Sequence, residues 1–170
     1  MSTLPPNPGR PGAGADRAPG ATRLEIAAAA VIRHGAQGPE VLIGHRPAGA
    51  VRGGVWELPG GKCDPGEDAP RAASRELNEE TGLVLDPQRG VLLGRVEQDD
   101  PHLAKEHSIA ITVVAFALPD GAPEPRALAC DELRWERIDR LDGYRWPAAN
   151  ARLNLILQDA ALTDRLPRHG

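Results

Sequence analysis

The sequence predicts an α/β domain, and three observations carry that prediction. Five apolar or β-branched runs have strand length, two segments carry helix signals, and a long Gly/Pro-punctuated loop joins the second strand to the first helix. Strands interleaved with helices in this way layer into one domain, and the loop is left free to carry chemistry.

Residues 1–22 hold nine Gly or Pro in their first twenty positions, with Leu4 as the one large apolar residue beyond Met1. Such a segment buries too little to offset its ordering entropy, so a disordered tail is expected there and a folded domain over 23–165. Leu24–Arg33 (LEIAAAAVIR) is compatible with helix through its alanines. Ile26, Val31, Ile32 and the His-Gly that follows favour a strand ending in a turn. Glu40–His45 reads as the second strand, and RPAGAVRGGVWELPGGK as the long connection. The first helix runs from Asp68 or Ala69 to Thr81, with Pro70 in its first turn and Gly82 where a left-handed cap is wanted. Val91–Val96, Ile109–Leu118 and Leu133–Ile138 read as strands. The last helix starts at Pro147 and carries Leu153, Ile156, Leu157 and Ala160 as a stripe for the core.

Composition excludes several classes of function. The 170 residues carry 20 Lys/Arg against 24 Asp/Glu, a formal charge of −4, so a basic face for duplex DNA is not expected. No stretch approaches the roughly 18 apolar residues of a membrane span, and no basic-then-apolar leader opens the chain, so a cytoplasmic protein is expected. Cys63 and Cys130 are too few and too far apart for a disulfide framework or a local CxxC site and read as free thiols.

Glu76, Glu79 and Glu80 stand at i, i+3 and i+4 of the first helix, within a fan of about 100°. Three carboxylates on one face repel one another, and a cation would reverse the sign. All-oxygen ligands suit Mg²⁺ or Mn²⁺ rather than zinc, and Mg²⁺ tends to share itself with substrate phosphates. The plainer reading of ELNEE alone is a solvated charged face.

The surrounding segment decides between these. Gly61, Glu67, Arg75, Glu76, Leu77, Glu79, Glu80, Gly82 and Leu83 match every fixed position of the Nudix hydrolase signature, a G, five residues, E, seven residues, then REUxEExGU with U aliphatic. Ordinary residue frequencies put a chance match at roughly one in ten million. The resemblance implies an α/β/α sandwich around a mixed β-sheet with a catalytic loop–helix–loop. It implies that Glu76, Glu79 and Glu80 ligate a divalent metal, with the carbonyl of Gly60 or Gly61. Glu67 and Arg75 would hold the loop against the helix, and Glu76 or a neighbouring glutamate would act as general base. Lys62 either orients the attacking water or a phosphate, or is a solvated lysine; Trp56 either packs the loop base or stacks on a nucleobase.

A longer resemblance, through LEIAAAAVIR, VLIGHRPAG, VWELPGGK and YRWPAAN, is to the MutT branch of that family. It implies hydrolysis of a nucleoside triphosphate, including oxidised purines such as 8-oxo-dGTP, to monophosphate and pyrophosphate. Arg46 would then meet phosphate, and Asn150, after Pro147, would meet the base edge with its donor and acceptor; an early-helix Asn bonded to backbone is the alternative. The same family also holds ADP-ribose and nucleotide-sugar pyrophosphatases, and a non-catalytic nucleotide-binding module would be expected to lose the glutamates. The chain departs from some MutT-type members in offering no unique extra acid before the last strand, where Glu124 and Asp131 are candidates. Asp99, Asp100, His102, Glu106 and His107 either line the base pocket or form a solvated loop. A monomer or homodimer acting on a nucleotide, without duplex nucleic acid or membrane, is expected.

Overall fold

The computed structural model describes residues 23–50, 53–99 and 108–168. The tail expected at 1–22 lies outside the described residues, as do Asp100, His102, Glu106 and His107 and the side chain of Asp99.

Strands β1 (Arg23–Gly35) and β2 (Gly38–His45) form a hairpin paired from Ile32↔Val41 to Gly35↔Gly38. Before Ile32 and beyond Val41 the two strands separate, and the loop that follows fills the gap. Strand β3 (Trp56–Glu57) pairs with β2 at Gly44 and His45, and β4 (Gly60–Lys62) pairs with β1 at Ile26 to Ala28. On its other edge β1 runs parallel to β6 (Ser108–Ala117), from Arg23↔Ser108 to Ile32↔Ala117. Strand β5 (Val91–Asp99) is antiparallel to β6 at one end of the sheet, and β7 (Glu132–Arg137) is antiparallel to β2. The sheet is mixed, as expected.

Helix α1 (Ala69–Thr81) covers one face and α2 (Ala148–Leu162) the other. The alternation of β1 divides the core between them: Ala27, Ala29 and Val31 pack with Ala72, Ala73 and Leu77 of α1, while Ala28, Ala30 and Ile32 pack with Leu153 and Leu157 of α2. Both faces of β1 are buried, so the strand shows no period of two, which is why its sequence also resembles a helix. Alanine lets both helices approach the sheet closely. The strand is also longer than the expected Leu24–Arg33. Strands β3 and β4 were not expected, because WE and GGK are too short and too glycine-rich to show a strand pattern.

The ends of α1 follow the sequence signals. The Asp68 side chain accepts from the Arg71 amide at 2.9 Å, and Gly82 takes φ 76° while its N–H donates to the Asn78 carbonyl. Residues before β7 add a second cap, the amides of Arg126 and Leu128 donating to the Thr81 and Glu80 carbonyls at 2.9 and 3.0 Å. Both cysteines are free thiols. No described helix is long and apolar enough to cross a membrane.

Leu77 and Leu157 are both fully buried, on opposite faces of the sheet. Leu77→Ala and Leu157→Ala are each expected to cost about 2–5 kcal/mol in chemical denaturation, whereas Leu162→Ala, at a residue 88% exposed, should cost less than about 0.5 kcal/mol. Equal effects at the three positions would contradict the two-sided core.

Candidate active site

The split between β1 and β2 brings loop backbone and α1 carboxylates together. Gly60 has φ 156°, and a Cβ there would stand 2.2 Å from the Ala27 carbonyl oxygen, so only glycine allows β4 to lie against β1. A Cβ at Gly61 would fall 2.4–2.5 Å from the Glu76 carboxyl atoms and displace them. One turn on from Glu76, Glu80 Oε2 accepts from the Gly60 amide at 3.0 Å.

Arg75 organises the acids on the outer side. Its Nε and Nη2 hold Glu67 in a two-pronged pair at 3.1 and 2.8 Å, and Nη2 also donates to the Lys62 carbonyl at 2.9 Å. Nη1 donates to Glu76 Oε1 at 2.8 Å and reaches Glu79 Oε1 at 3.5 Å. These bonds hold the Glu67 carboxyl below the usual carboxylate range. The expected charge pair of Glu67 and Arg75 is therefore in place, and it fixes the loop through Lys62 as well.

Without a cation, the three carboxylates on that face do not meet at one point. Glu76, Glu79 and Glu80 do share one face, but among the described residues no three acid, imidazole or thiol groups stand together in an arrangement that could hold a metal. Each carboxylate turns to a different partner: Glu76 to Arg75, Glu80 to the Gly60 amide, and Glu79, 58% exposed at its side chain, outward with a long contact to Arg75. Like charges without a cation between them are lowest in energy apart.

The structure adds an acid that sequence reasoning missed. Glu57 on β3 is half-buried and pairs with Arg46 Nη1 at 3.1 Å. Burial raises its carboxyl above the usual range despite that arginine. Burial likewise pushes Glu80 up to about 7, with Glu57 and Glu76 adding to the rise and the Gly60 amide and Arg46 opposing it. The available signal was that Glu57, between Trp56 and Leu58, is the one acid in the connection of residues 46–62. Glu57 and Glu80, two half-buried carboxyl groups near the single guanidinium of Arg46, would carry excess negative charge when ionised, which a divalent cation would offset; the Cys130 thiol also borders them, but burial pushes its pKa up and keeps it protonated, so the charged donors are oxygen. The residues thus fit a hard divalent ion.

Beside them opens a cavity of about 560 Å³. Arg46, Glu57, Gly60, Gly61 and Lys62 line one part of it, and Leu24, Ile26, Ile109, Ile111 and Leu153 another, with Asn150 from the first turn of α2. Arg46, Lys62 and Asn150 are thereby brought together. Trp56 is not part of that lining. It sits 5.2 Å from the Tyr144 ring edge-on and 5.2 Å from the His45 ring, with the Arg134 guanidinium 5.1 Å over its face, and so packs the loop base. Glu124 and Asp131 are exposed and also stand outside the lining, Asp131 lying 3.7 Å from His45 Nδ1.

Because the folded Glu80 carboxyl keeps its proton up to about pH 7 while the unfolded one gives it up near 4.5, the metal-free protein should lose stability as pH rises through that window. The loss expected from this group is on the order of 2 kcal/mol, after allowance for solvent reach. Denaturation of wild type and Glu80→Gln across pH 4.5–8 checks it: the substitution should remove most of the slope, and an identical slope in both would contradict the assignment.

Comparison with known proteins agrees with this geometry. A profile described as the NUDIX domain matches residues 24–158. The chain is 40% identical over 60 residues to the CTP pyrophosphohydrolase of Escherichia coli, covering 35% of this chain and 42% of that one. It is 49% identical over 51 residues to a putative 8-oxo-dGTP diphosphatase of Bacillus subtilis, covering 29% and 34%. The chain thus spans less than half the length of these two curated relatives. The crystal structure of a MutT NUDIX hydrolase from Burkholderia pseudomallei superposes with a TM-score of 0.62 and 30% identity, over 79% of this chain and 96% of that one. With the signature residues placed on a loop–helix–loop beside a mixed sheet, and a profile match across most of its length, this chain belongs to the Nudix hydrolase family and within it to the MutT-like members.

Proposed function

We propose that the protein is a divalent-metal-dependent pyrophosphohydrolase of nucleoside triphosphates, releasing nucleoside monophosphate and pyrophosphate, with oxidised purine nucleotides such as 8-oxo-dGTP among its substrates. The observation that carries this reading is the mixed lining of one cavity, which brings Arg46, Lys62 and the glycine backbone of the loop together with Leu24, Ile26, Ile109 and Asn150. A triphosphate needs the first kind of group and a base the second.

In this reading Glu76, Glu79 and Glu80, with the Gly60 or Gly61 carbonyl, hold Mg²⁺ or Mn²⁺. The ion, when bound, neutralises the diphosphate and lowers the pKa of the attacking water. One of these glutamates takes the proton of that water as the bond between the α- and β-phosphoryl groups breaks. Arg46 leaves Glu57 to meet a phosphate oxygen, for which a guanidinium fork is well suited, and Lys62 adds a mobile positive charge at the same end. Arg75 stays with Glu67, Glu76 and the Lys62 carbonyl, keeping loop and helix in register. Asn150 offers one donor and one acceptor to the base, while Leu24, Ile26 and Ile109 exclude water around it. The named relatives are a CTP pyrophosphohydrolase and a putative 8-oxo-dGTP diphosphatase, so both a cytosine and an oxidised guanine nucleotide belong among the substrates to be tested.

The test is a hydrolysis screen with and without Mg²⁺ over 8-oxo-dGTP, dGTP, CTP, dCTP, ATP, ADP-ribose and a nucleotide sugar, with products separated and kcat/KM compared. A triphosphate should lead, yielding monophosphate and pyrophosphate, and Glu79→Gln or Glu80→Gln should lower kcat by at least about 100-fold with an unchanged circular dichroism spectrum. A lead by ADP-ribose or the nucleotide sugar, or turnover unaffected by chelator, would overturn the reading.

A further inference from the structure

On the α2 side of the sheet, β1, β6 and β5 present their side chains in rows set by the pairing register. Ala28, Val113 and Gly94 form one row, Ile26, Ile111 and Val96 the next, and Leu24, Ile109 and Gln98 the one after. Gln98 alone among these is polar. Its neighbours Ile109, Ile111 and Val96 are at most 5% exposed, and strand alternation from Val96 calls for another apolar side chain at position 98. A carboxamide there is unfavourable unless its donor and acceptor are used.

Gln98 is half-buried and lines the same cavity as Asn150. Among the described residues neither side chain is engaged in a hydrogen bond, whereas their neighbours are: Arg152 Nη1 donates to the Glu97 carbonyl at 3.1 Å and Gln158 to Asp142 at 3.3 Å. The Arg152 contact joins α2 to β5 directly beside Gln98, so the two carboxamides sit on elements in contact with each other. Both border the apolar part of the cavity lined by Leu24, Ile109 and Leu153.

We propose that Gln98 is a specificity-determining residue which, with Asn150, reads the hydrogen-bonding edge of a nucleobase in the apolar part of the cavity; this rests on the nucleotide reading of the site. Each carboxamide carries an NH₂ donor group and a carbonyl acceptor, so two of them can meet both the donors and the acceptors along a base edge. A base that mismatches them leaves a half-buried polar group unpaired, which is the strongest source of discrimination available to a site of this size.

The experiment is a calorimetric comparison of wild type, Gln98→Leu and Asn150→Ala with the 5′-monophosphates of guanosine, 8-oxo-guanosine, cytidine and adenosine, alongside ribose 5-phosphate. Wild type should prefer one base, and Gln98→Leu should reduce that preference by about tenfold while leaving the affinity for ribose 5-phosphate unchanged. Its Tm should be equal or higher, since leucine completes an apolar row; a merely structural glutamine would instead lower Tm on substitution and leave the order of bases intact. Retention of the base preference in Gln98→Leu, or no base preference in wild type, would overturn the proposal. Binding is read without turnover, so the result stands apart from the hydrolysis screen: a wild type that selects a base yet cleaves no triphosphate would sink the catalytic reading and leave this one standing.

Discussion

Two adjacent glycines set the close approach of loop, sheet and helix on which the site depends. At Gly60 the backbone of β4 lies against the Ala27 carbonyl of β1, and at Gly61 it lies against the Glu76 carboxylate, with no room for a side chain at either place. The hairpin of β1 and β2 opens so that this short strand can enter, and α1 presses its glutamate face onto the strand from outside. Everything chemical about the site follows from that wedge. It sets the Glu80 carboxylate on the Gly60 amide, it sends Glu57 inward from the neighbouring strand, and it leaves a cavity whose polar wall is largely loop backbone.

The acids so gathered are divided between two arginines with different freedoms. Arg75 is committed on every side, to Glu67, Glu76 and the Lys62 carbonyl, and its role is to hold loop and helix in register. Among the described residues Arg46 has a single acidic partner, Glu57, and it lines the cavity. Taking it away for a phosphate leaves Glu57 and Glu80 as neighbouring half-buried carboxylates, an arrangement that is costly without a cation and favourable with one. In the proposed reaction, substrate phosphate and metal would thus be coupled through the protein's own charges, each making room for the other.

Much of this was legible in the sequence, and the gaps have physical causes. The helix of glutamates was readable because capping signals at Asp68, Pro70 and Gly82 and the spacing of Glu76, Glu79 and Glu80 are local. The Arg75–Glu67 pair came with the family signature. By contrast β3 and β4 are two and three residues long and owe their strand geometry to the opened hairpin, a long-range fact that WE and GGK do not encode. Glu57 was missed for the same reason, since its burial depends on where β3 lands. Spacing on a helix fixes Cβ directions but not carboxylate positions, so the expected convergence of three acids met Arg75 and the Gly60 amide instead. Trp56 is one of three tryptophans in the chain, and only its contacts with His45, Tyr144 and Arg134 show that it faces the loop base.

If Glu80 holds a divalent ion as proposed, its carboxyl, pushed up to about 7 by burial in the metal-free protein, gives up a proton when the ion binds. Titrating Mn²⁺ into the protein in weak buffer near pH 6.5, with heat and proton release recorded together, tests it most directly. Wild type should release a substantial fraction of one proton for each ion bound, and Glu80→Gln should bind more weakly with little release. Ion binding without proton release, or equal binding by the two proteins, would contradict the account.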